Sequence, residues 1–390
     1  MPWSRLFPVL TILMLGMLVA AKAQAEAREQ GAWQFSGDLR GFYSSSWRDT
    51  RQREKTDSET YGSRLRMRLR NDLDGNWRVQ GRFAASYEDR DNDARLFLRS
   101  WRESPTAVEP GAMTLDELFV QYQSDDRRTE IRLGRLQSSF TLPLITGKSL
   151  DRNQASNIDI GWTDGVYLGR QLTESWKATL TAQYNSRKGN GIATRGPLDF
   201  ADSGSRVSTF ATLESDAELG PVFLRALTLT WYPDALAVDG PESSRRQDYV
   251  AATVKIAAGW DIGSALGTAG TRLVLAGSVG RAFNRPENTR MGIPQSGDAG
   301  GTAWQVGADL VEIFPRHTVG VVFGQADAGW LISNDYRQND SLAEIRWSWQ
   351  VTDPLRLQFR ARWREEQELL SGADRAQRDR DIRLRATWAF

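Results

Sequence analysis

The sequence contains no cysteine, one histidine (His317), and no run of eighteen apolar residues after its first 25 positions. The first absence excludes disulfides, thiolate metal sites and cysteine nucleophiles. The last leaves the remainder without a transmembrane helix, so only a closed barrel of strands would carry it through a membrane. An excess of charge is missing too: 50 Lys and Arg oppose 49 Asp and Glu, a formal net charge of +1. That balance points to no nucleic-acid partner.

Met1 to Ala25 reads as a secretory leader: Arg5 is followed by an apolar run from Leu6 to Ala20 and by Ala23-Gln24-Ala25, a small-x-small cleavage pattern. Ala21-Lys22-Ala23 is a competing site. The run is shorter than the roughly 20 residues a membrane anchor requires. Residues 26–390 then form the mature domain, and loss of Arg5 and Lys22 brings its net charge to −1.

What is present is alternation. From Tyr61, the positions Leu65, Met67 and Leu69 are apolar while Arg64, Arg66, Arg68 and Arg70 are all arginine. After turn chemistry at Asp72-Leu73-Asp74-Gly75, Trp77, Val79, Phe83, Ala85 and Tyr87 repeat the apolar parity against Arg78, Gln80, Arg82 and Glu88. Period two defines strands with one apolar and one arginine face. Burying unpaired guanidinium groups in an ordinary core would cost several kcal/mol each, so each face needs its own solvent. A membrane barrel supplies lipid outside and water inside. Ten residues at about 3.3 Å each, tilted by about 40°, rise roughly 25 Å, which fits an apolar band with Trp77 and Tyr87 in its two aromatic girdles. A solvated edge hairpin of a soluble sandwich is the alternative for this stretch alone.

Similar segments recur to the end of the chain, separated by alternating long and short connections. Ser138 to Gly161 is long yet contains Phe140, Leu142, Pro143, Leu144 and Ile145, and is expected to fold inward against the lumen wall. Thr50 to Glu59 is expected to be a charged loop, and Arg225 leaves the parity of Val222 to Tyr232 ambiguous. The count is about sixteen antiparallel strands, within a range of 14 to 18, giving an all-β transmembrane barrel.

The last segment, Ile382, Leu384, Ala386, Trp388 and Phe390, resembles the ending of most outer-membrane barrels of Gram-negative bacteria. That resemblance implies insertion by the barrel-assembly machinery into a membrane of lipid and lipopolysaccharide. The whole mature chain resembles a general porin, a family whose third loop folds inward and whose members are often trimers. More narrowly, Ile131-Arg132-Leu133-Gly134-Arg135 and Trp162-Thr163-Asp164-Gly165-Val166 are similar to stretches of alginate-export-type porins, although those exporters have longer chains. The lipid-facing positions leave the oligomeric state open.

The inward arginines cluster: Arg64, Arg66, Arg68, Arg78 and Arg82 lie on strands two and three, and Arg346, Arg360, Arg362, Arg383 and Arg385 on the last three strands. Closure would join these groups, with Arg40, into one basic wall. In a narrow channel such a wall focuses a positive field and concentrates anions. The competing reading has them neutralised by Asp38, Glu88, Asp309, Glu344 and loop acids. Arg66, Arg82, Arg360 and Arg385 are expected at mid-height, with Asp151 and Arg152 facing them from the inward loop.

No catalytic residue, cofactor or metal site is expected. His317 falls beside a short turn, far from the rim where barrel hydrolases hold their active sites. Asp89 to Asp93 resembles the start of a calcium loop, but Ala94 and Ser100 stand where that loop needs glycine and glutamate. The resulting expectation is a porin for passive diffusion of small anionic or neutral solutes. Alginate-type export and a plugged structural barrel are the alternatives.

Overall fold

Alternation of this kind satisfies every backbone group only if the sheet closes on itself. The computed structural model describes residues 33–73, 75–90, 93–94, 113–153, 162–185, 196–200, 203–238, 245–268 and 270–390. The leader and most of the Asp89 to Asp93 motif lie outside these residues or have no described side chains.

Sixteen antiparallel strands follow in chain order. They are β1 (Gln34–Asp49), β2 (Lys55–Asp72), β3 (Trp77–Arg90), β4 (Met113–Gln123), β5 (Thr129–Leu136), β6 (Thr163–Gln171), β7 (Lys177–Tyr184) and β8 (Val207–Ser215). The second half comprises β9 (Val222–Ala237), β10 (Arg246–Asp261), β11 (Arg272–Ala282), β12 (Thr302–Phe314), β13 (His317–Ala326), β14 (Asp340–Gln350), β15 (Leu355–Glu366) and β16 (Arg378–Ala389). A two-residue piece, Asp93–Ala94, extends the edge of β3. Pairing of β1 with β16, from Asp38 opposite Ala389 to Asp49 opposite Arg378, closes the barrel. Phe390 completes this seam by exchanging backbone hydrogen bonds of 2.7 and 3.0 Å with Gly37. A Cβ at residue 37 would lie 2.6 Å from the Phe390 ring, so glycine gives that ring its seat.

The outer face is apolar to a degree that water would not tolerate: Leu133, Val254, Ile256, Val279, Phe323 and Leu384 are exposed. Aromatic residues flank this band, with Trp77 against Tyr122 near the short turns and Tyr43 against Tyr61 toward the loops. His317 belongs to the turn-side belt. It packs against both Trp347 and Trp349, and its Nδ1 accepts a 3.1 Å hydrogen bond from the Trp347 indole. Arg225 faces outward at the same end, stacking on Trp176 and donating to Ser215 and Ala217, as a long cationic side chain does at an interface. In the β4–β5 turn the Ser124 hydroxyl, then the Arg128 amide, hold the Asp126 carboxyl below its usual range.

One connection is much shorter than expected. The charged stretch from Lys55 continues β2, pairing with β1 out to Asp49 and leaving only residues 50–54 as loop. A hairpin whose ladder continues satisfies its backbone groups without apolar side chains.

Candidate functional site

The barrel interior divides into two unlike halves. Along β8 to β13 the inward residues are largely small or aromatic, and two loops are laid over them. Leu150 of the loop after β5 joins Trp330, Leu331, Ile332 and Tyr336, from the β13–β14 loop, in one buried apolar cluster with Phe210, Tyr232, Tyr249 and Val322. Leu142 and Leu144 pack on Ala257, Val274 and Ala276. Glycines make room: a Cβ at Gly307 would lie 2.6 Å from a Leu144 methyl, and one at Gly320 would lie 2.8 Å from Ile145.

Polar contacts strap the loop to this half and to β14 beside it. The Ile145 amide donates to Asp309 at 2.6 Å, and its carbonyl accepts from Arg346 at 2.8 Å. Lys148 meets Glu344 at 3.1 Å and Asp335 at 3.5 Å, while the Trp330 indole donates to the Leu150 carbonyl at 2.9 Å. The apolar residues of the loop therefore do fold inward. Asp151 and Arg152, however, do not face the arginines. Both are buried: Asp151 pairs with Lys255 at 2.8 Å, and Arg152 donates to Thr163 and Gln183 while lying over the Phe210 ring. They anchor the loop because an isolated buried charge is untenable and each finds its partner on the nearby wall.

The other half, β14 through β16 and β1 through β4, carries the arginines. Register places Arg66 opposite Asp38, Arg40 opposite Arg64, and Arg68 opposite Arg82. Carboxylates interleave with them. Asp38 takes Arg64 at 2.9 Å and Arg40 at 3.3 Å; Asp116 takes Arg82 at 2.8 Å and Arg66 at 3.1 Å; Glu117 takes Arg82 at 2.9 Å and Arg68 at 3.5 Å. Arg78 sits lower, at the turn end, paired with Asp72 at 2.6 Å.

Asp116 and Glu117 are consecutive yet both face inward, which a regular strand forbids. The ladder explains this: Arg82 opposes Glu117 while Phe83 opposes Leu115, so Asp116 is the extra residue of a β-bulge. Sequence alternation has no signal for such a pair. Of the expected acid partners, Asp38 and Glu344 meet arginines, Asp309 caps the loop instead, and the Glu88 side chain lies outside the described residues.

On β14 to β16 the balance differs. Asp381 binds both Arg360 and Arg362, the latter at 2.6 Å, and Glu344 takes Arg346 at 2.5 Å. Arg385 donates to the Gln358 amide oxygen at 3.0 Å. Arg383 lies over the Phe42 ring at 5.3 Å, and no carboxylate is within 4.0 Å of it among the described residues. Arg346, Arg356, Arg360, Arg362, Arg383 and Arg385 thus face two carboxylates. Guanidinium charge exceeds carboxylate charge along these three strands.

No protein-family model matches the chain, and no curated relative matches it. Solved structures do. The high-pH structure of Pseudomonas putida OprB aligns with a TM-score of 0.60 at 13% identity, covering 92% of this chain and 94% of that one. An anion-selective porin from Comamonas acidovorans gives 0.55 at 10% identity, with 92% and 99% covered. Salmonella typhi OmpF, in complex with daunomycin, gives 0.53 at 8% identity, with 93% and 98% covered. The chain therefore has the sixteen-stranded barrel fold of outer-membrane porins. The narrower similarity to alginate exporters is not supported. Its two motifs are neighbours in the β5–β6 ladder, where Gly134, at φ 129°, lies opposite Gly165. Arg135 grips Asp164 at 2.7 and 3.0 Å beneath the Trp162 ring, which gives those residues a packing role.

Proposed function

We propose that the protein, after loss of residues 1–25, is an outer-membrane channel for passive diffusion of small hydrophilic solutes and that it favours anions. The observation that carries this reading is the guanidinium surplus along β14 to β16, on the arginine half of the lumen. A unit negative charge about 4 Å from one unneutralised guanidinium gains about 4 kcal/mol at an effective dielectric near 20. Loss of hydration offsets much of that, so an anion is drawn in without being trapped. The likeness in fold to a porin named as anion-selective points the same way. Trimer formation, contact with lipopolysaccharide and delivery by the barrel-assembly machinery rest on the porin fold and belong to the same reading.

The buried apolar cluster favours one competitor, a structural barrel whose lumen is closed. Planar-bilayer recording in a potassium chloride gradient separates the two. A chloride-directed reversal potential that moves toward potassium in the Arg346→Gln, Arg385→Gln double variant is expected. Conductance without charge preference would remove the anion claim, and absence of conductance would favour the closed barrel.

A further inference from the structure

Strand parity separates the two faces of β16 and also separates their charges. The inward acids are engaged: Asp379 meets Arg48 at 2.8 Å and also Arg337, and Asp381 meets Arg360 and Arg362. Arg380, between them in sequence, points the other way, with Ile382 and Leu384 toward lipid. It is exposed, and among the described residues no carboxylate lies within 4.0 Å of it. The outward acids one row nearer the loops are taken, Glu365 by Arg378 at 2.7 Å and Asp49 by Arg375 at 3.9 Å. Asp57 shares its row but stands beyond Trp47, on the second strand over. A guanidinium beside hydrocarbon needs an anion, and the barrel wall supplies Arg380 with none.

Next to this guanidinium the outer wall is hollow. Register sets Phe323, Ala343, Trp363 and Arg380 in one row across β13, β14, β15 and β16. Ala343 is the small member, and with Ser341 it leaves a trough along β14 between the exposed rings of Phe323 and Trp363. With Trp304 on β12 these residues bound a groove of about 600 Å³, which Arg378 and Arg380 also line. That volume is in the range of sites for small molecules. Arg380 is four positions from mid-strand Leu384, about 10 Å along the membrane normal at 3.3 Å per residue and a tilt of about 40°. An apolar band about 25 Å tall ends near that height, so the long stem brings the guanidinium to headgroup level.

We propose that this arc of the outer wall seats one phosphate-bearing, acylated lipid of the outer leaflet, the lipid part of lipopolysaccharide, with a phosphate on Arg380 and an acyl chain in the trough over Ala343. The guanidinium fork matches phosphate oxygens, and the aromatic rings wall a chain at the level where such rings meet headgroups. The site deepens the lipid contact of the reading above and rests on the same orientation of the barrel in the membrane, independently of conduction.

The test is native mass spectrometry of the detergent-folded barrel titrated with lipid A, with lipid A stripped of its phosphates, and with lipid A in competition with inorganic phosphate. Arg380→Gln removes the phosphate partner, Ala343→Phe fills the trough, and Arg281→Gln removes an exposed arginine of β11 outside the groove. Folding of each is checked by heat-modifiable gel migration. We expect one lipid A per barrel, a dissociation constant raised at least fivefold in Arg380→Gln and threefold in Ala343→Phe, and a change under twofold in Arg281→Gln. The wild type is expected to hold the stripped lipid no better than Arg380→Gln holds the intact one. Equal weakening by Arg380→Gln and Arg281→Gln would mean general attraction to a basic rim and would overturn the site, as would absence of lipid A binding. Displacement by inorganic phosphate with Ala343→Phe silent would leave an anion site without a lipid seat, and would overturn it too. Oligomers that dissociate in Arg380→Gln with lipid binding unchanged would assign the arc to a second copy of the chain and overturn the lipid. Should Arg380→Gln not fold, the stripped lipid and Ala343→Phe decide. A barrel that binds lipid A but does not conduct would keep the site and sink the channel, whereas a conducting barrel without lipid A would do the reverse.

Discussion

Asp116 holds two guanidinium groups in a place where none of the three side chains is more than 7% exposed. Its carboxylate accepts both Nε and Nη2 of Arg82 and lies 3.1 Å from Arg66. Removing one partner from such a group leaves buried charge uncompensated. Asp116→Asn is accordingly expected to lower barrel stability by about 3 kcal/mol, read from the urea midpoint of the refolded protein, and to shift the reversal potential further toward chloride. A stability change below about 0.5 kcal/mol would show the two arginines to be well hydrated instead. At this scale the sequence was legible where strands are regular. Period two placed Arg64, Arg66 and Arg82 on one face, but the carboxylates that neutralise Arg66 and Arg82 sit at a bulge, which alternation conceals. Asp381 shares the parity of Arg383 and Arg385 on β16, so it could have been found by counting back from Phe390.

The inward loop was legible as an element because its run of apolar residues has no place in a solvated connection. Its attachment was not, since the residues that hold it, Asp309, Asp335 and Trp330, come from strands and loops 150 or more positions away. Asp151 and Arg152 were misplaced for another reason: charge suggested a lumen role, whereas their partners, Lys255, Thr163 and Gln183, lie on the wall behind. Gly320 tests the attachment, because a side chain there would occupy the space of Ile145 and the Asp309 carboxylate. Gly320→Leu is expected to displace the loop tip, raise single-channel conductance and cost about 2 kcal/mol from overpacking. Unchanged conductance would mean that the tip does not limit the channel.

For the whole molecule, strand number and the orientation of the faces followed from the sequence, because a closed barrel admits few arrangements once the alternation is read. The β1–β2 extension was missed because paired backbone needs no apolar pattern to persist. Leu384 provides the check on the membrane as outer solvent: it lies mid-strand on β16 and is 54% exposed. Leu384→Arg is expected to cost about 3 kcal/mol, the penalty for arginine near the bilayer midplane, when unfolding is followed in lipid vesicles. A cost near zero would argue that water covers this face.

Division of the interior into a loop-covered half and an arginine half has a consequence for solutes with no net charge. On the channel reading, the field they cross is transverse, with its positive pole always at the same wall. A zwitterion would travel with its carboxylate turned to β14–β16 and its ammonium toward the loop. Its passage would then depend on the separation and angle of its charges as much as on its width, so that isomers of equal size would cross at unequal rates.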